Sequence, residues 1–130
     1  MAPFFRRMSE MDISATIAEM KKDPAFAENV GMVLVHNGTV RGWSRGDRAT
    51  VTKIEVAADL EKIEQIRQET EQLEGIYKVV IEAHGGIKEP GDDLLFLIVA
   101  GDIRENVKPA LATLLDRVKS EAITKKEIKA

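Results

Sequence analysis

A run of seven apolar residues, Leu94 to Ala100, constrains the fold of this chain most strongly. The run is far shorter than the roughly 20 residues of a membrane-spanning helix, and its length is typical of a buried strand. A strand that is apolar at every position is typical of the interior of a sheet. We therefore expect it to be the central strand of a sheet.

Hydrophobic periodicity predicts the remaining elements. Apolar residues at helical spacing indicate helices, and short apolar or alternating runs indicate strands. The predicted helices cover about 12–20, 59–74 and 105–121, and the predicted strands cover 32–35, 50–56, 76–81 and 94–100. Because several connections are too short for parallel crossovers, this order favours an α+β fold, a mainly antiparallel sheet with helices over one face.

The length of 130 residues predicts a single domain, 1–130, in which residues 1–30 form an N-terminal helix region. The polar tail Thr124–Glu127 is expected to fray unless a partner or the fold holds it.

Composition excludes several classes of function. The chain has no cysteine and only two histidines, so we expect no disulfide, no thiolate chemistry and no metal site. A net charge of −3 argues against nucleic-acid binding. No membrane span or secretory signal is recognisable, which predicts a cytoplasmic protein.

A glycine-broken loop after the first strand carries Arg41 and Arg45. Glycines let backbone amides approach a ligand closely, and guanidinium groups bind phosphate or carboxylate with two hydrogen bonds. The loop is a candidate anion site, although solvated turns have the same composition. Trp43 could stack on a flat heterocycle or cap the edge of the core.

Other cations follow the last predicted strand and the last predicted helix. Arg104 could bind a ligand or pair with Asp102 or Glu105. Lysines at a helix end also favour the helix dipole, but clustered positive charge can lower a lysine pKa and activate the amine. These lysines are Lys119, Lys125 and Lys126. His36 and His84 have no partner pattern and are interpreted as structural or surface residues.

Four segments in this order resemble the MoaE family over about residues 31–127. They are HNGTVR with SRG, the segment Gly86-Ile87-Lys88-Glu89-Pro90-Gly91-Asp92, Arg104, and Lys119 followed by Lys125-Lys126-Glu127.

The resemblance implies an α/β hammerhead-like domain that acts as the large, catalytic subunit of molybdopterin synthase. It implies a homodimer within a heterotetramer, in which a small ubiquitin-like, MoaD-like carrier delivers sulfur as a thiocarboxylate on its C-terminal Gly-Gly. Two deliveries convert precursor Z, cyclic pyranopterin monophosphate, to molybdopterin. No cofactor is implied.

By the same resemblance, Arg41 and Arg104 are implied to bind the pterin phosphate, with Arg45 and Lys126 as further substrate-binding residues. Lys119 is implied as the main catalytic residue, and Lys125 as a catalytic residue that binds substrate and transfers protons. The chain departs from the family pattern at Ile103, where the family has histidine, and it lacks the tryptophan before the paired lysines.

Two alternatives to the enzyme stay open. The first is a non-catalytic relative that binds a ubiquitin-like carrier or a pterin phosphate as an adaptor. The second is a ligand-sensing or assembly domain whose basic residues are all solvated.

Overall fold

The computed structural model describes residues 12–129, so part of the predicted N-terminal region, residues 1–11, lies outside the described residues. The helices and strands follow one another in mixed order, as expected for an α+β fold. They are α1 (Ile13–Met20), α2 (Ala25–Asn29), β1 (Met32–Thr39), β2 (Val51–Ala58), α3 (Leu60–Glu71), β3 (Ile76–Ala83), β4 (Gly86–Lys88), β5 (Asp93–Gly101), α4 (Arg104–Arg117) and β6 (Ile123–Lys129).

Strand β5 is the centre of the first sheet, which confirms the prediction from its apolar run. It pairs antiparallel with β1 on one side and with β3 on the other, in the order β1-β5-β3. Every residue from Leu95 to Ala100 is at most 3% exposed. Because both edges of β5 are hydrogen-bonded and both faces are covered, this strand organises the larger part of the core.

Helices cover both faces of the first sheet, and the prediction of one covered face is wrong. The β5 residues Leu95, Leu97 and Val99 belong to a core with buried residues of α3 and α4. The alternate residues face a second core with residues of α1 and α2; they are Phe96, Ile98 and Ala100. A strand that is apolar at every position requires this arrangement, since successive side chains point to opposite faces.

The polar tail forms a strand, β6, at one edge of a second antiparallel sheet with the order β4-β2-β6. Strands β6 and β2 pair over most of their length, for example Ala57 with Thr124 and Glu55 with Lys126. Val51, Ile54 and Val56 of β2 are buried in a core under this sheet. The fold itself thus orders the tail. The α+β prediction is confirmed, with two sheets instead of one.

A wide π-helical turn, Val118–Ala122, joins α4 to β6. Val118 and Ala122 are buried and fix the turn to the core. Its outer side is held by Glu121, whose carboxylate accepts from the Arg117 guanidinium at 2.9 Å and lies 3.3 Å from the amine of Lys62. The turn is short, so β6 begins at Ile123, six residues after the end of α4.

Three further differences from the sequence prediction concern the extent of elements. Strand β1 continues to Thr39, so the glycine-rich loop begins only at Val40. The short elements α2 and β4 were not predicted. Helix α3 ends at Glu71, and Gly75 follows with a φ of +78°, a left-handed conformation that favours glycine.

The buried face of α4 should dominate stability. Leu114 is 0% exposed, so Leu114→Ala should lower the free energy of unfolding by about 2 to 5 kcal/mol. Leu60 of α3 is 67% exposed, and Leu60→Ala should change stability by about 0.5 kcal/mol or less. Urea unfolding of both variants measures the difference. Equal losses would contradict the packing described.

Candidate functional site

A cavity of about 710 Å³ opens where the end of β1, the start of β5, the π-helical turn and β6 come together. Its apolar lining residues come from both sheets and are Val56, Leu94, Leu95 and Ile123. Its charged and titratable lining residues are His36, Arg41, Arg45, Lys119, Lys125 and Glu127. Four cations therefore face one carboxylate around a partly apolar space.

The loop that carries Arg41 and Arg45 is folded against its neighbours. Within it, the Ser44 N–H donates to the Ala49 carbonyl at 2.7 Å, and the Arg48 N–H donates to the Ser44 carbonyl at 2.9 Å. Ser44 is only 6% exposed and lines the cavity. The loop is therefore ordered by its own hydrogen bonds, which hold Ser44 beside the cavity.

Strand β6 also anchors this loop. Lys129 at the end of β6 pairs with Asp47, with 3.0 Å between Nζ and Oδ2. The Asp47 carboxylate also accepts from the Ala49 N–H at 2.9 Å, and both contacts lower its pKa, the backbone hydrogen bond most. The loop and β6, which form two walls of the cavity, are therefore joined by this salt bridge.

The Trp43 ring contacts two arginine side chains. The guanidinium carbon of Arg41 lies 4.7 Å from the centroid of the Trp43 ring, and that of Arg48 lies 4.0 Å from it. These are cation–π distances, and Trp43 does not line the cavity. The geometry favours a role in orienting Arg41 over the predicted alternative of stacking on a heterocycle.

The two predicted catalytic lysines come together although five residues separate them in the chain. Lys119 lies in the π-helical turn, and Lys125 lies on β6; both line the cavity. Partial burial lowers the pKa of Lys125, and the positive charges of Lys119, Arg41 and Arg45 lower it further, while Glu127 opposes them. Lys125 is therefore more easily deprotonated than an ordinary lysine.

None of the four cavity cations forms a salt bridge with a carboxylate among residues 12–129. Elsewhere in the described chain, two half-buried arginines are paired: Arg67 binds Glu64 and Glu71, and Arg117 binds Glu69 and Glu121. A cation cluster without carboxylate partners is suited to hold an anionic ligand.

Arg104 lies away from this cavity. It begins α4, whereas Lys119 follows the last residue of that helix, so the rise of 1.5 Å per residue separates them by about 22 Å. Its side chain is 77% exposed, and its Nε lies 3.4 Å from a carboxylate oxygen of Glu105. Within one copy of the chain, Arg104 does not join the other predicted substrate-binding residues.

Lys126 is also separated from the cavity. Successive strand residues point to opposite faces, so Lys125 and Glu127 line the cavity and Lys126 does not. Lys126 is opposite Glu55 and contributes to a separate, more open depression of about 400 Å³. Its predicted role in substrate binding finds no support in this placement.

His36 is the cavity residue that the sequence did not indicate. It was interpreted as structural or surface, but it lines the cavity from β1. The alternation of β1 was the available signal, because Met32 and Leu34 pack against the α4 side of the sheet and His36 follows at the same spacing.

Two classes of feature are not found in the described part of the chain. No group of three or more His, Cys, Asp or Glu side chains there could hold a metal ion. No helix within residues 12–129 is long and apolar enough to span a membrane.

Comparison with known families decides the classification. Residues 7–121, most of the chain, match the family model described as MoaE protein. The chain belongs to the MoaE family. The resemblance predicted from the sequence is thereby confirmed. The matched residues end before β6, so the placement of Lys125 depends on the strand pairing described above.

Solved structures share the fold of this MoaE-family chain. Molybdopterin synthase from Staphylococcus aureus is 26% identical, with a TM-score of 0.67, covering 78% of this chain and 76% of that one. Molybdopterin cofactor biosynthesis protein E from Burkholderia multivorans is 23% identical, with a TM-score of 0.70, covering 93% and 83%.

A third structure is a complex of two subunits. It is the protein–protein complex of subunits 1 and 2 of molybdopterin-converting factor from Helicobacter pylori, 17% identical with a TM-score of 0.62, covering 90% of this chain and 83% of that one. No curated protein sequence matches the chain.

The lowered pKa of Lys125 predicts a stability cost. The folded state disfavours the charged amine, so the cost is present at neutral pH and disappears as pH rises towards the ordinary lysine pKa. Lys125→Met keeps the apolar stem and should stabilise the free protein by at most about 0.5 kcal/mol at pH 7, and by less above pH ~10, because solvent screens the charge of this exposed side chain.

Urea unfolding across this pH range measures the gain. Lys126→Met is the matched control on the same strand and should give no such gain. Loss of stability in Lys125→Met, or a gain that does not change with pH, would contradict the electrostatic description of the cavity.

Proposed function

We propose that this chain is the catalytic subunit of a molybdopterin synthase in molybdenum cofactor biosynthesis. It transfers sulfur from a thiocarboxylated carrier protein to precursor Z. The observation that carries the proposal is the cluster of four cations in one cavity of a MoaE-family fold, none of which pairs with a carboxylate within residues 12–129. Family membership and the synthase among the structural neighbours support a biosynthetic enzyme.

The cavity fits a phosphorylated pterin in its chemistry. Arg41 and Arg45 supply guanidinium groups for the phosphate, and the apolar residues from both sheets can cover the flat ring system. Arg41 is held by its contact with Trp43, which reduces the entropy lost when it binds. Ligand binding would also relieve the repulsion among the four cations.

Lys119 is the residue we assign to the transfer itself. It lies in the exposed part of the π-helical turn, where the C-terminal tail of a carrier can reach it. Sulfur forms a bond to a carbon of precursor Z and displaces an oxygen there; the bond between the carrier's terminal carbonyl carbon and sulfur breaks, and the acyl group passes to water, directly or after the amine of Lys119 has held it. Lys119 acts as acid, base or amine nucleophile in this step.

Lys125 has the complementary role of binding substrate and transferring a proton. Its pKa is lowered by partial burial and by the neighbouring cations, so its amine can accept and release a proton nearer neutral pH than an ordinary lysine. A phosphate in the cavity would raise this pKa again. Lys125 can therefore bind the phosphate as the charged amine and donate a proton during the reaction.

The partner is a small ubiquitin-like, MoaD-like protein with a C-terminal Gly-Gly. The Helicobacter pylori neighbour is a complex of two subunits of a molybdopterin-converting factor, which supports a two-subunit assembly here. The absence of cysteine from the chain agrees with sulfur that arrives on the partner.

Arg104 can contribute to the proposed site only from a second copy of the chain. It is exposed and about 22 Å along α4 from Lys119, so it can bind the same phosphate only if a homodimer places it over the partner's cavity. Ile103, 52% exposed, would approach the cavity beside it. We therefore propose a homodimer within a heterotetramer.

Turnover tests the proposed function directly. The purified chain is mixed with precursor Z and a thiocarboxylated carrier, and molybdopterin is followed through its fluorescent oxidation product. Lys119→Ala should lower the rate by about 100-fold or more, because a general acid–base or nucleophilic residue is lost. Lys108→Ala, on the exposed side of α4, is the control and should keep the wild-type rate.

Two other results would contradict the enzyme. Absence of product with stable carrier binding would identify a non-catalytic adaptor. Absence of both product and binding of carrier or precursor Z would identify a domain whose cations are merely solvated.

Mixing of variants tests the role of Arg104. Lys119→Ala and Arg104→Ala are each expected to be weak alone. If each site uses Arg104 from the other copy, mixed dimers regain one intact site, and unfolding and refolding an equimolar mixture should restore about a quarter of the wild-type activity. No recovery, with mixed dimers demonstrated by mass spectrometry, would remove Arg104 from the shared site.

A further inference from the structure

His36 has an unsatisfied polar atom beside the cations of the cavity. Its Nε2 is buried and has no hydrogen-bond partner among residues 12–129. Buried polar atoms are nearly always hydrogen-bonded, and leaving one unpaired costs about 1 to 3 kcal/mol. His36 also lines the cavity, so its unpaired ring nitrogen is a candidate contact for a ligand that turns the ring towards it.

The strand geometry directs this ring towards the cavity side of the sheet. His36 is opposite Leu97 of β5, on the face that α4 and the π-helical turn cover. Gly38, the next residue on that face, also lines the cavity. A Cβ atom on Gly38 would lie 3.1 Å from His36 Nε2, so the missing side chain leaves room for the tip of the ring.

The electrostatics of this position keep the imidazole neutral without a ligand. Burial lowers the pKa of His36 most, and the positive charge of Lys119 lowers it further. The neighbouring residues Leu95 and Leu97 of β5 carry no charge. The charged groups of the other elements around the cavity are Arg41, Arg45, Lys119, Lys125 and Glu127.

We propose that His36 is a ligand-binding residue whose Nε2–H donates a hydrogen bond to an anionic oxygen of the phosphorylated ligand in the cavity. This inference rests on the proposed function, which supplies that oxygen through precursor Z. An anion at this position offsets the field of Lys119 and favours the imidazolium. Binding therefore brings a proton to His36 when the pH lies between the pKa of the free and of the bound state.

Nuclear magnetic resonance of the imidazole nitrogens tests the contact. The untagged, ¹⁵N-labelled chain is titrated with sulfate, whose charge is constant over the pH range, at fixed ionic strength with chloride. The chain has only two histidines, and His84 forms a buried contact with Glu82 on another part of the sheet. His84 therefore serves as the internal reference.

The expected result is a saturable shift of the His36 Nε2 signal and a rise of its pKa, with the His84 signals unchanged. His36→Phe, which keeps an aromatic ring without nitrogens, should weaken sulfate binding about tenfold or more, as for one hydrogen bond to a charged group. His36→Gln can still donate a hydrogen bond and should recover part of the affinity. Urea unfolding of each variant verifies the fold.

Three outcomes would overturn the inference. These are no saturable sulfate binding by the wild-type chain, binding without a change at His36, and equal affinity of wild type and His36→Phe. Failure of this inference is distinguishable from failure of the proposed function. If His36→Phe has normal turnover and KM while Lys119→Ala loses turnover, the proposed function stands and His36 has no role in ligand binding. If sulfate shifts the His36 signal but no molybdopterin is formed, the contact of His36 with an anion stands and the proposed enzymatic function is wrong.

Discussion

The antiparallel pairing of β6 with β2 is the interaction on which the site depends. It makes the end of the chain an edge strand of the second sheet, so that Lys125 lines the same cavity as Lys119 of the π-helical turn. The same pairing positions Lys129 to hold the loop through Asp47. Without β6, the cavity would lack one wall and one of its four cations.

The cavity concentrates cations that have no carboxylate partner among residues 12–129. Arg67 and Arg117 are each bound by two carboxylates, whereas the cavity cations repel one another and lower the pKa of Lys125. The core around β5 supports this unfavourable arrangement with closely packed apolar residues. Stability lost at a site and recovered by ligand binding is a common relation between stability and function.

Much of the fold follows from patterns that a single sequence contains. The apolar run of β5, the periodicity of α3 and α4, and the glycine–arginine loop are local signals, and the motif order indicates the MoaE family. The tail was harder, because Thr124–Glu127 has no apolar alternation and becomes a strand only through its pairing with β2. Helices were predicted over one face of the sheet, whereas the fully apolar strand β5 is covered by helices on both faces.

The site was predictable residue by residue but not in its geometry. Arg41, Arg45, Lys119 and Lys125 meet as expected, whereas Arg104 lies at the opposite end of α4 and Lys126 on the other face of β6. A sequence gives the order of residues but not which ends of elements share a cavity. His36 was missed because packing decides that its Nε2 has no hydrogen-bond partner among residues 12–129.

The most direct test of this account is a crystal structure of the chain bound to precursor Z. The account predicts ligand in the cavity between β1 and β6, with its phosphate bound by Arg41 and with Lys119 and Lys125 lining the same space. Precursor Z bound elsewhere, or bound in this cavity without contact to these cations, would contradict it.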